Sequence, residues 1–246
     1  MSGLVPYARV MEQMLKALDI ATVWTLFTES MEHYGFDRII YARTQFRTAG
    51  DFGDPDDSFL LIKHDAEYIE QFFGKALYLD APMMVWSAKN TGICSWQWAF
   101  DRRAAGTTTP KENRVLEFNQ SMGVVAGYAI SFPGVSGRSV AGVGLCAKRN
   151  RTQTEVDAAW ADHGEEVDLI ANAMHHKIST LPHERRGKTL TARQKEVLQW
   201  VADGKTTQDI AQIMGLTTGT VEKHLRLARE SLNAATTAQA ILKASM

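Results

Sequence analysis

The sequence of 246 residues holds no apolar run long enough to cross a bilayer, so no membrane partner is expected. Its first stretch, MSGLVPYARVMEQMLK, mixes Arg, Glu and Lys among apolar residues and does not resemble a secretory signal, which points to the cytoplasm. There are two cysteines, Cys94 and Cys146. Two thiols build no disulfide framework, suit a reducing compartment and read as small buried apolar residues. Zinc-ligand spacing is missing too. His175 and His176 are adjacent in a helical pattern, so their side chains diverge; both read as surface residues, and no metal site is expected. There is no Gly-rich phosphate loop, and GVSGR (134–138) lacks the closing glycine of a nucleophile elbow. With no nucleophile–base pair in evidence, no catalytic residue is assigned and an enzyme is not expected. Internal repeats and low-complexity segments are absent.

What is present suffices for one or two globular domains, with 45% hydrophobic residues to build a core. The net charge of −1 conceals an asymmetry. From Arg185 onward there are ten Lys/Arg and five Asp/Glu, a net of +5; the rest carries 17 basic and 23 acidic residues, a net of −6. A basic tail on an acidic body suggests that only the tail meets phosphate.

The tail has a legible plan. TARQKEVLQWVADG opens with Thr191 and Gln194 at capping-box spacing, continues with Val197, Leu198 and Val201 at helical spacing, and stops at Gly204. TTQDIAQIMG repeats this in a shorter helix, with Thr206 or Thr207 as cap, Ile210, Ala211 and Met214 inward, and Gly215 as stop. A third helix is capped by Thr217 or Thr218. It carries Val221, Leu225, Ala228 and Leu232 on one face and Glu222, Lys223, Arg226 and Arg229 on another. A last helix begins near Thr236, with Ala240 and Ile241 closing a small bundle. Two short helices joined by a tight Gly-containing turn, the second one basic, form a helix-turn-helix pattern.

Leu190 to Leu232 resembles the C-terminal DNA-binding domain of LuxR-type regulators, with matches at Leu190, Thr191, Arg193, Glu196, Gly204, Ile210, Ala211, Thr220, Val221 and His224. The chain departs from the family pattern at Gln194 (Glu), Asn233 (Gly) and Thr237 (Arg). Asn tolerates a left-handed turn almost as well as Gly; the loss at Thr237 removes a local contact. The resemblance implies double-stranded DNA as partner, a near-palindromic operator and a homodimer, and it admits RNA polymerase. It places Thr218, Glu222, Lys223 and Arg226 at the major groove, with Lys205, Thr206 and Thr207 on the phosphate backbone.

STLPHERRGKTL (179–190) is polar and basic, with Pro182 and Gly187, and reads as a linker. The expected division is therefore a sensor and dimerisation domain over 1–178, a linker over 179–188 and a DNA-binding domain over 189–246. In the first part, 11–34 reads as helix broken near Asp19, and RIIYARTQF and SFLLIKH read as strands. A helix capped by Asp65 and another begun by Pro82 follow. A helix with Pro110 near its start, two strands around GVSGR, and a long final helix complete the order. Strands in hairpin-like succession with helices between them indicate an antiparallel sheet flanked by helices.

Leu60 to Pro133 resembles the acyl-homoserine-lactone-binding domain of quorum-sensing LuxR-type proteins, which implies an α/β/α sandwich with a small-molecule signal between sheet and helices. Tyr68 stands at the family's first Trp, Phe72 at its Tyr, Ala81–Pro82 at its Asp-Pro pair, Trp96 at its second Trp and Gly127 at its Gly. In the family, the first Trp and the Tyr donate to the two ligand carbonyls and the Asp accepts the amide N–H. Tyr68 retains a donor; Phe72 has none and Ala81 cannot accept. Asp80 either enters the pocket as the acceptor or caps the helix at Pro82. His64 is a ligand donor or a strand-end residue. Met83, Met84, Trp86, Trp96 and Trp98 read as core or as pocket wall, and the resemblance puts Met83, Met84 and Trp96 against an acyl chain. An unmatched ligand amide loses about 1–3 kcal/mol, so an altered ligand is favoured over a simple acyl-homoserine lactone. The final helix of this domain offers Val156, Trp160, His163, Val167, Ile170 and Met174 at alternating steps of four and three. This stripe is either a dimer seam or the face that packs on the sheet.

The expectation is an α+β protein: an α/β/α sandwich with a central antiparallel sheet, then a small all-α four-helix helix-turn-helix domain. No cofactor is expected beyond a small-molecule effector. The expected function is transcriptional regulation under a small-molecule signal. The alternative is a ligand-free dimerising regulator that modulates a related transcription factor.

Overall fold

The computed structural model describes residues 6–44, 58–134, 139–182 and 190–244. The expected strand end at Gln45 and Phe46, turn residues 135–138 and linker residues 183–189 lie outside the described residues. Contacts divide the chain into two compact units, Met1–Glu184 and Arg185–Met246.

Asp19 divides the first apolar stretch. Its backbone is extended and its carboxylate accepts from the Thr22 N–H at 2.7 Å, so α1 (Pro6–Lys16) ends before it and α2 (Ile20–His33) starts after it. Five strands follow along the chain: β1 (Phe36–Thr44), β2 (Phe59–Lys63), β3 (Gly92–Ser95), β4 (Gly127–Phe132) and β5 (Val140–Ala147). They form one sheet in the order β2-β1-β5-β4-β3, antiparallel at every pairing. Between them lie α3 (Ala66–Gly74), a 3-10 turn (Leu77–Asp80), α4 (Pro82–Lys89), α5 (Gln97–Ala104) and α6 (Pro110–Ser121). The unit closes with α7 (Gln153–Thr180).

Because side chains alternate along a strand, each strand contributes to both faces of the sheet. Ile39 and Tyr41 of β1, Tyr128, Ile130 and Phe132 of β4, and Val143 and Leu145 of β5 pack against α1, α2 and α7. A register shift between Phe36 and Arg38 turns Phe36 onto this packed face, while Arg38 lies on the other. The opposite face meets α3, α4 and α6 through Tyr68, Phe72, Met84, Val115 and Phe118. The result is the α/β/α sandwich that the resemblance implied.

The stripe on α7 is core. Val156, Val167, Ile170 and Met174 are no more than 4% exposed and belong to the packed face. Trp160 stacks on Tyr128 at 3.8 Å and meets Phe36 edge-on. The dimer-seam expectation for Val156, Val167, Ile170 and Met174 is thereby corrected, because these side chains are enclosed in the core; Trp160, partly exposed, packs at its edge. His175 also departs from its surface assignment. It is buried, with Nδ1 2.9 Å from the Tyr41 hydroxyl and its ring stacked on Phe132 at 4.3 Å, whereas His176 is exposed.

Three local differences have physical causes. Asp65 precedes α3 but makes no capping bond; its carboxylate instead takes the Arg149 guanidinium at 2.9 Å. The helix stops at Gly74 because Ala76 adopts a left-handed backbone, φ 52°. β3 and α5 had no sequence expectation: β3 is a four-residue edge strand, and Trp96 precedes α5 with no side-chain cap.

The second unit holds α8 (Ala192–Ala202), α9 (Thr207–Met214), α10 (Thr218–Ser231) and α11 (Thr237–Ala244). Thr191 and Gln194 close a reciprocal capping box, and Thr206 and Asp209 close another. Thr217, rather than Thr218, caps α10. Gly215 takes a left-handed backbone, φ 64°, and Asn233 does so at φ 47° where the family pattern has Gly. The Thr237 hydroxyl accepts from Arg229 at 3.0 Å, so this position retains a contact without the family's Arg. Val197, Leu198, Ile210, Ala211, Val221, Leu225, Ala228 and Ala240 form the core.

His64 and His175 make the first unit sensitive to acid. Burial, above all, lowers the pKa of each from 6.5 to about 4. Between these values the unfolded chain binds more protons than the folded one, so stability falls as pH drops from about 6.5 towards 4 and levels off below. The expected loss between pH 7 and pH 5 is on the order of 1 kcal/mol per histidine. Denaturant unfolding at the two pH values should reveal it, and His175→Gln should reduce the difference. An unchanged pH dependence in that variant would contradict the assignment.

Candidate functional site

The second face of the sheet has little bulk at its centre. Ala42 of β1, Ala129 of β4, and Gly142 and Gly144 of β5 all point to it. Helices α3, α4 and α6 span this region, so the missing side chains leave a cavity of about 100 Å³. The wall is largely apolar: Ile40, Phe72, Ala81, Pro82, Met83, Met84, Trp96, Phe100, Leu116 and Val124. This is the composition of a small-molecule site.

His64, Tyr68, Phe72, Met83, Met84 and Trp96 all line this cavity. Asp80 does not. Its carboxylate is half-exposed and lies 4.0 Å from the Lys111 ammonium, while Ala81 occupies the wall and the cap position of α4. Both expected roles for Asp80 are corrected, because the 3-10 turn ending at Asp80 directs the carboxylate away from cavity and helix alike. Trp86 and Trp98 are not on the wall either; Trp98 lies under the Arg102 guanidinium at 4.9 Å.

Polar groups cluster at one end. His64 stacks on Tyr68 at 4.0 Å, and Tyr68 stacks on Phe72 at 5.1 Å and Phe118 at 5.3 Å. The Tyr68 hydroxyl donates to Asn119 Oδ1 at 3.0 Å. His64 Nδ1 accepts from the Asp65 N–H at 2.8 Å, which leaves the proton of the neutral ring on Nε2. Burial, with the charge of Arg38, keeps this ring neutral by lowering its pKa to about 4. Arg38 is itself buried; it donates to the Gly123 carbonyl at 2.9 Å, to the Ala147 carbonyl, and to Asp37. The Cys146 thiol lines the wall and is pushed up to about 12 by burial, which makes it unreactive.

Trp96 is held from behind. Its N–H donates to the Gly127 carbonyl at 3.1 Å, and its ring lies so close to Gly127 that a Cβ there would stand 3.0 Å from it and 2.1 Å from the Leu145 carbonyl oxygen. Asp157 of α7 accepts from Tyr128, Ser95 and Gln153 at 2.6, 2.8 and 2.8 Å. Ser95 Oγ in turn accepts the Gln97 N–H at 3.1 Å. These bonds tie both neighbours of Trp96 to α7. Among the described residues, Trp96 Nε1 is the one buried side-chain nitrogen or oxygen without a hydrogen-bond partner.

Arg38, Asn119, Gly142 and Gly144 were not anticipated. The glycines had a signal, since small residues at every second position of AGVGLCA empty one face of a strand. A charge inside the apolar run FDRIIYA marked Arg38. Asn119 had none, because its partner Tyr68 is remote in sequence.

In the second unit, Lys205, Thr206, Thr218, Glu222, Lys223 and Arg226 are exposed and Thr207 is partly so. Gly219, Glu222, Lys223, Leu225, Arg226 and Arg229 line a shallow groove along α10. Arg226 donates to Glu230 at 2.6 Å, one turn on. The Thr206 hydroxyl is engaged in its capping box with Asp209.

A filled cavity should be compatible with the fold. Gly144 has no strained backbone, and a Cβ there meets only the Ile40 carbonyl oxygen, at 3.9 Å. Gly144→Val should therefore fold, with a melting temperature at or above that of the natural chain, and should lose any thermal stabilisation by a cavity ligand. Retained stabilisation would place the ligand elsewhere.

Residues 19–178 match the autoinducer binding domain family, and residues 188–244 match the luxR family of bacterial regulatory proteins. The transcriptional activator protein LuxR of Aliivibrio fischeri is 26% identical over 194 residues, covering 75% of each chain. EchR of Dickeya chrysanthemi, also a transcriptional activator protein, is 22% identical over 181 residues, covering 70% of each. Among solved structures, SdiA of Escherichia coli matches with a TM-score of 0.53 at 14% identity, over 97% of this chain and 95% of that one. CepR2 from Burkholderia cenocepacia matches with a TM-score of 0.54 at 13% identity, over 70% and 93%. At such identities the two structures speak to the fold. The families and named relatives are transcriptional regulators rather than enzymes. The chain belongs to the LuxR-type quorum-sensing transcriptional regulators, with an autoinducer-binding domain ahead of a luxR-family helix-turn-helix.

Proposed function

We propose that this protein is a cytoplasmic sensor-regulator in which a small molecule in the first unit controls DNA binding by the second. The observation that carries this reading is the apolar cavity between the sheet and α3, α4 and α6, walled by His64, Tyr68, Phe72, Met83, Met84 and Trp96. A domain that only dimerised would be expected to fill this volume, because unfilled core space costs stability. The open face of β5, with Gly142 and Gly144, favours the sensor over the ligand-free dimerising regulator.

On the DNA side, α10 enters the major groove. Arg226 reads a guanine, Glu222 accepts from a cytosine amino group, and Lys223 contacts base or phosphate. Thr218 lies at the groove edge, and Lys205, Thr206 and Thr207 hold the backbone at the start of α9. Thr206 does so through its helix terminus, its hydroxyl being engaged by Asp209. The protein acts as a homodimer on a near-palindromic site, through a surface other than the inward stripe of α7, and contacts RNA polymerase from the bound operator. Small modules hold DNA weakly one at a time, which favours the paired arrangement.

The test starts from operators selected out of random DNA by the full chain, with and without an organic extract of its host. The extract should change operator affinity. Arg226→Ala should weaken the selected site by about tenfold or more, corresponding to roughly 1–3 kcal/mol, and leave random DNA much less affected. Equal weakening on both would make Arg226 a phosphate contact. An extract that never alters affinity would contradict control by a signal.

A further inference from the structure

We propose that the cavity selects an acyl ligand whose polar head presents oxygen acceptors and no N–H: an oxyester or a carboxylate rather than an amide. This rests on the sensor reading above and specifies the chemistry of the same site.

The argument is an account of protons at the wall. Among the described residues no carboxylate lines the cavity: Asp80 faces Lys111, and the Asp65 carboxylate is held by Arg149. The one side-chain amide oxygen there, Asn119 Oδ1, already accepts the Tyr68 proton. Main-chain carbonyls along β1, β4 and β5 belong to the sheet ladder, and that of Ser87 accepts the Ser131 hydroxyl at 2.8 Å. The acceptors left for a ligand are the second lone pair of Asn119 Oδ1, a phenol oxygen and the Ser87 hydroxyl, all weak beside a carboxylate. Donors are in better supply. His64 Nε2 carries the ring proton, and Trp96 Nε1 is buried with no partner. The buried Arg38 guanidinium stands at the same wall; its Nε meets the Asp37 carboxylate at 3.2 Å, and its terminal nitrogens, directed to main-chain carbonyls, form an edge that favours an electron-rich oxygen.

A buried N–H that finds no acceptor loses its hydration without compensation, whereas an ester oxygen at the same place requires none. A ligand carbonyl brought to Trp96 Nε1 would pair an N–H that has no protein partner among the described residues. The small residues Ala42, Ala129, Gly142 and Gly144 leave the remaining space to the chain.

The experiment uses the full chain and three probes of equal chain length: N-decanoyl-homoserine lactone, its analogue with the amide N–H replaced by oxygen, and decanoic acid. Dissociation constants come from calorimetry, with thermal shift as a second readout. The oxyester, the acid or both should bind at least tenfold more tightly than the amide, and the stronger of the two identifies the head group. Ala81→Asp should reverse the order by supplying an acceptor, and Ala81→Asn serves where the charged variant does not fold. Trp96→Phe should weaken the preferred probe, because it removes the donor that meets its carbonyl, and should leave the preference over the amide in place. Amide binding equal to or tighter than both others overturns the inference and leaves the sensor reading intact. So does binding of a host extract with no response to any probe. A chain that responds neither to probes nor to extract overturns both.

Discussion

The structure depends on the way one antiparallel sheet divides its side chains. Alternation along each strand sends Tyr41, Ile130, Phe132 and Leu145 to one face and Ala42, Ala129, Gly142 and Gly144 to the other. The bulky face is covered by α1, α2 and α7, and it anchors the long α7 through Val156, Val167, Ile170 and Met174. The sparse face receives α3, α4 and α6, whose side chains reach across but do not fill the middle. The volume of the site is therefore a consequence of strand sequence, and the larger of the two cores lies on the far side of the sheet.

Cavity and α7 are nonetheless connected. Asp157 gathers Tyr128, Ser95 and Gln153, and Ser95 and Gln97 flank Trp96. The Trp96 ring packs where a side chain at position 127 would stand, which leaves glycine as the residue that fits there.

Much of this was legible in the sequence, for particular reasons. Caps and stops are local, and Asp19, Pro82, Pro110, Thr191 and Gly215 each mark the end of an element. The helix-turn-helix consists almost wholly of such signals, so its α8 to α11 order was readable throughout. In the cavity, Tyr68, Phe72, Met83, Met84 and Trp96 came from the resemblance to the acyl-homoserine-lactone-binding domain. What remained hidden depends on long-range partners. The inward face of α7 has the same periodicity whether it meets a sheet or a second chain, and only the sheet's bulky face decides between them. His175 reads as a surface residue until Tyr41 and Phe132 are brought to it. Asp80 and Ala81 are neighbours, and a single 3-10 turn determines which of them faces the ligand.

The central claim is that the sparse face of the sheet holds a signal molecule. Native mass spectrometry of the full chain purified from its own host tests it most directly. The account predicts a mass exceeding that of the polypeptide by one small molecule per chain, released on unfolding and identifiable as an acyl compound. A chain that carries its bare mass alone, even when isolated from dense cultures and after exposure to their organic extract, would contradict it.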